Sequence, residues 1–140
     1  MHLSALLINP FAWQAALDGE ERFFAQIKEG KIGLVGKQTC ATPPGEMLVW
    51  EVVLGKARAV SARFRGWQAA GVELLLVLED NLASDLHEAL AGKSIFATFK
   101  KMIRLGRINL FLLKTRDDLL ALGFEDFLEA LGVPFLGTCH

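Results

Sequence analysis

Apolar runs and amphipathic stretches alternate along this chain. Residues 47–54, 73–79 and 108–113 read MLVWEVVL, ELLLVLE and INLFLL, each bounded by glycine or polar residues. Near-continuous apolar runs of this length suit strands covered on both faces. Weaker apolar runs at 3–8, 32–35 and 133–136 predict shorter strands. Between them the period changes. Trp13, Ala16, Leu17, Phe23, Phe24 and Ile27 recur at three- and four-residue steps and predict a helix over 11–29, with a bend at Gly19. Val60, Phe64 and Trp67 line one side of a second predicted helix, 56–70, whose other side carries Arg58, Ser61, Arg65 and Gln68.

Further helices are predicted over 82–91, capped by Asn81, over 94–105, and over 124–131. Thr115-Arg116-Asp117-Asp118 supplies a capping threonine and two carboxylates at the positive end of another helix. QTCATPPGE, at 38–46, reads as a loop, because prolines and glycine continue neither period. Strands alternating with helices predict an α/β fold: a single domain over 1–140 with a central parallel or mixed sheet flanked by helices.

Composition narrows this reading. A chain of 140 residues, 52% of them hydrophobic, has material for one buried core. The net charge of −1 gives no global pull toward nucleic acid or an anionic surface, so any such attraction has to be local. Ten Phe and three Trp without any Tyr remove the phenol as acid, nucleophile or hydrogen-bonding tip. Two cysteines, Cys40 and Cys139, give no disulfide framework, and no secretory signal or bilayer-length apolar run appears; reduced thiols in a cytoplasmic protein are the expectation.

Candidate chemistry is sparse. His2, His87 and His140 are scattered, Cys40 has no histidine near it in sequence, and no His/Cys spacing matches a zinc site. Gly30, Gly33 and Gly36 match neither the dinucleotide fingerprint nor the phosphate loop, and turn geometry is the expected explanation. Asp117 and Asp118 are accounted for by capping. No cofactor is implied.

Glu51 interrupts an apolar run, and Lys56, Arg58, Arg63 and Arg65 follow without an intervening anion. A second basic group contains Lys93, Lys100, Lys101, Arg104 and Arg107. On a shared face the two groups would form a phosphate-binding surface. EMLVWEVVLGK, followed by the basic segment and then an apolar strand, resembles the centre of the PD-(D/E)xK nuclease superfamily over about a third of the chain. The resemblance places Glu51 at the family's catalytic glutamate and Glu46 near its aspartate, whereas the lysine position holds Val53, with Lys56 the nearest replacement. It implies a degenerate nuclease-like core that binds nucleic acid through Lys56, Arg58, Arg63 and Arg65 rather than cutting it. The alternative is a non-enzymatic interaction or regulatory module that self-associates through apolar surface, including the Phe-rich 124–135 segment, and binds a protein or small ligand.

Overall fold

The computed structural model describes residues 3–92 and 94–133. Five strands, β1 (Glu29–Gly36), β2 (Gly45–Val53), β3 (Lys56–Phe64), β4 (Leu74–Leu78) and β5 (Ile108–Leu112), form one sheet in the order β3-β2-β1-β4-β5. β1 and β4 run parallel and every other neighbouring pair is antiparallel, so the sheet is mixed. The α/β class follows as expected, and the apolar runs near 50, 75 and 110 are all strands. The helices are α1 (Leu3–Leu7), α2 (Pro10–Gly19), α3 (Lys37–Ala41), α4 (Ala83–Leu90), α5 (Ile95–Arg104), α6 (Arg116–Leu122) and α7 (Glu125–Ala130). None of the described helices is long and apolar enough to cross a membrane.

The local signals that held are those with their own side-chain chemistry. Thr115 accepts a hydrogen bond from the Asp118 N–H at 3.1 Å and opens α6, and Ser94 does the same for the Ala97 N–H at α5. Asn81 behaves differently: it lies in a 3₁₀ turn, Asp80–Leu82, and accepts from Arg107 instead of capping α4. The expected strand at 3–8 is helix α1, because Leu3, Leu6 and Leu7 are buried while Ser4 and Ala5 face solvent, a helical stripe. The long helix expected over 11–29 stops at Gly19, passes through a 3₁₀ turn at Glu21–Phe23, and gives way to β1 at Glu29. Part of the expected loop after Gly36 forms α3. Of the short strand expected at 133–136, only Val133 lies within the described residues.

The largest departure is the predicted helix 56–70, which is β3 through Phe64. Leu54 and Gly55 form a two-residue hairpin turn, with Val53 opposite Lys56, and both turn residues have positive φ, 49° and 80°. Backbone bonds from Leu54 N–H to Lys28 O (2.7 Å) and Gly55 N–H to Ile27 O (2.9 Å) hold the turn. A side chain at Gly55 would meet the Ala25 carbonyl oxygen at 2.9 Å, so glycine is required there by contact as well as by conformation.

The two sheet faces are covered unequally. Ile32, Leu34, Leu48, Trp50, Val52, Leu74, Leu76, Leu78 and Ile108 face a core closed by residues of α1, α2, α4, α5, α6 and α7. At its centre Trp50, fully buried, contacts the rings of Trp13, Phe24, Phe96, Phe99 and Phe127 at centroid distances of 5.7–6.5 Å. The Trp13 indole donates to Leu6 O at 2.9 Å, whereas the Trp50 indole N–H has no partner within the described structure. The opposite face presents Val35, Met47, Val49, Phe64, Leu75 and Val77 to a smaller cluster, with Ala70, Val72 and partly buried Cys40. Of the described helices, only short α3 contributes to that cluster.

Candidate functional site

The hairpin decides the geometry around Glu51. Successive side chains in a strand alternate between faces, so Arg58 and Arg65, which would share a helical face, no longer do so. Glu51 lies directly opposite Arg58 across the hairpin, and its carboxylate accepts from the Arg58 guanidinium at 3.0 Å. Lys31, opposite Glu51 on β1, brings its ammonium to 3.8 Å. The carboxylate therefore sits between two cations on the second face.

The other candidate cations disperse. Lys56 pairs with Glu21 at 3.0 Å, and that hydrogen bond, followed by the carboxylate's charge, raises the Lys56 ammonium pKa above its ordinary value. Arg63 stands opposite Glu46 and an odd number of residues from Arg58, hence on the other side of β3. Arg65 is exposed beyond the strand end. In the second basic group, Arg107 is engaged by Glu79, Asp85 and Asn81. Lys100, Lys101 and Arg104 are exposed on α5, which packs against the first face, and Lys93 lies outside the described residues. The two basic groups thus do not form one surface.

The remaining candidates fall away for separate reasons. Cys40, on α3, has its thiol pKa raised by burial, the opposite of an activated nucleophile. Gly30, Gly33 and Gly36 lie inside β1 rather than in turns, with Phe124, Met47 and Asp80 occupying the space side chains would need. His2, Cys139 and His140 lie outside the described residues. Among the described residues no cluster of three His, Cys, Asp or Glu side chains is placed to hold a metal.

What the structure does assemble is a cleft on the second face. After Phe64 the chain crosses this face before entering β4, and Trp67 touches Phe64 on the β3 edge and Phe111 on the β5 edge, at 6.5 and 4.8 Å between ring centroids. Ala70 and Val72 of this crossover are buried against the sheet, while Trp67 stays 42% exposed. The Glu73 carboxylate at its end accepts the Lys31 N–H at 2.6 Å. Between crossover and sheet lies a cleft of about 500 Å³ bounded by Gly30, Lys31, Glu51, Val53, Gly71 and Glu73. Of these, Glu51 was the candidate site residue in the sequence. The readable signal for the rest was the pair of apolar segments flanking Leu54-Gly55, which sets two strands side by side.

No known protein family and no characterised protein sequence matches the chain. Comparison of the fold with solved structures finds a conserved hypothetical protein from Thermus thermophilus for which a sterol-carrier role is suggested, at 18% identity and a TM-score of 0.47, covering 89% of this chain and 87% of that one. A crystal structure of sterol carrier protein 2 matches at 17% identity and a TM-score of 0.47, covering 92% and 95%. Apo sterol carrier protein 2 from Yarrowia lipolytica matches at 12% identity and 0.31, covering 87% and 78%. Two of these neighbours are named as sterol carrier protein 2 and a sterol-carrier role is suggested for the third; none is named as a nuclease.

The nuclease-like expectation is accordingly corrected. The basic helix on which it relied is strand β3, Glu51 is held in two ion pairs, and Lys56, Arg58, Arg63 and Arg65 point to different surroundings. Nucleic-acid binding loses its surface with them.

Proposed function

We propose that this chain is a non-catalytic binding domain that takes a small amphipathic ligand on the second face of its sheet. The observation carrying this reading is the cleft of about 500 Å³ at the end of the crossover. Small-molecule sites span roughly 300–1,000 Å³ and pair apolar walls with a few placed polar groups. Val53 offers an apolar wall, Lys31 lines the cleft where a polar or anionic head would reach it, and Arg58 stands beside it on the far side of Glu51. Ion pairing with Glu51 keeps these cations in place without a ligand, and one carboxylate shared between two cations leaves both with donors to spare. Glu51 serves here as a brace for two cations.

Fluorescence titration with cis-parinaric acid, an apolar chain with a carboxylate head, tests the reading. Saturable binding is expected, weakened at least tenfold by Val53→Trp, which fills the cleft, and unchanged by Ala91→Trp on the helical side. Absence of saturable binding, or equal binding by Val53→Trp, contradicts it. Sterols, named for the structural neighbours, are a second probe class.

A further inference from the structure

The two edges of the sheet differ in kind. Edge strand β3 carries Lys56, Arg58 and Arg63, and charges on an exposed edge discourage pairing with another chain. Edge strand β5, INLFL, carries none, and its Asn109, Phe111 and Leu112 are exposed. Backbone bonds from Leu113 N–H to Glu73 O (2.9 Å) and from Glu79 N–H to Arg107 O (3.1 Å) fix which residues bond inward to β4. In an antiparallel ladder those residues alternate, so the odd-numbered ones face β4, and Ile108, Leu110 and Leu112 turn their N–H and C=O groups outward. Among the described residues no strand pairs with that edge.

We propose that a second copy of this chain pairs here, β5 against β5 and antiparallel, about a two-fold axis at Leu110. A two-fold interface demands a self-complementary patch, and this register supplies one. Leu110 meets its own counterpart and Ile108 meets Leu112 of the second copy, so every outward-facing residue exchanges both backbone bonds with another outward-facing residue. Asn109 falls opposite Phe111. No charged residue opposes another: Arg107, the nearest cation on one side, falls opposite Leu113 and is already engaged by Glu79 and Asp85. Exposed Phe111 and Leu112, at 40% and 46%, are covered in the process. The pairing is independent of the ligand reading, because the cleft lies at β1 and β2.

Light scattering on the full chain, from low micromolar to near-millimolar concentration, tests the proposal. A concentration-dependent rise from 15.4 kDa toward twice that mass is expected, little affected by salt. Leu112→Lys places a charge in the seam, and Leu112→Pro removes an outward N–H without touching the bonds to β4. Each is expected to raise the dissociation constant at least tenfold with an unchanged circular dichroism spectrum, while Ser61→Lys on the β3 edge leaves it unaltered. A monomer at every concentration overturns the proposal, as does a dimer that survives in whichever Leu112 variant remains folded.

Discussion

On one face of the sheet Trp50 is surrounded by five aromatic rings and fully buried; on the other Trp67 bridges two rings and remains 42% exposed. The same strands furnish both faces, since alternate residues of each strand point to opposite sides. The difference lies in what the connections bring. Among the described residues six helices close the first face, while a crossover of nine residues, 65–73, and one short helix lie on the second. Dense interlocking packing resists substitution and excludes ligands. A lightly covered face with a cleft and charged groups at its border is where binding can be added without dismantling the core.

Substitutions should separate the faces by size of effect. Trp50→Ala removes the centre of the aromatic cluster and is expected to cost about 3–5 kcal/mol in urea unfolding; a loss similar to that of Trp67→Ala would break the distinction. Within the first face, Trp13→Phe forfeits a buried hydrogen bond, whereas Trp50→Phe removes an unpartnered N–H, so the first is expected to be costlier by about 1–2 kcal/mol. Trp67→Ala is expected to cost about 1 kcal/mol, because the ring is already partly in water. The smallest effect is electrostatic. Cys40 and Lys56 both have pKa values raised in the native state, so the native form holds these protons more tightly than the unfolded chain. Their contribution is complete below the ordinary values of 9.0 and 10.5 and is lost as pH climbs through the raised native ones. Denaturation midpoints above pH 10.5 should therefore fall slightly less in Lys56→Met than in the parent chain.

The sequence was most legible where the signal is local. The β2 and β4 runs are apolar because both sides of each strand meet protein, and Thr115 announces α6 through its own hydroxyl. β3 was not legible by helical period, because Val60, Phe64 and Trp67 also satisfy helical spacing; what decides is pairing with β2 through Leu54-Gly55, together with the Lys-Ala-Arg-Ala alternation of 56–59. That one element determined the fate of the site. As a helix it offered a basic face, and as a strand it delivers Arg58 to Glu51. Lys31 and Glu73, remote in sequence, come to the cleft only through the β1–β2 pairing and the return of the crossover. Glu51 drew notice as a carboxylate in an apolar run, but its two partners are set by register.

Hydrogen–deuterium exchange with and without cis-parinaric acid tests most directly whether the lightly covered face is the binding face. Added protection is expected in residues 65–73 and at the cleft ends of β1 and β2, with α2, α4 and α5 unchanged. Protection confined to those helices, with none in the crossover, would contradict the account.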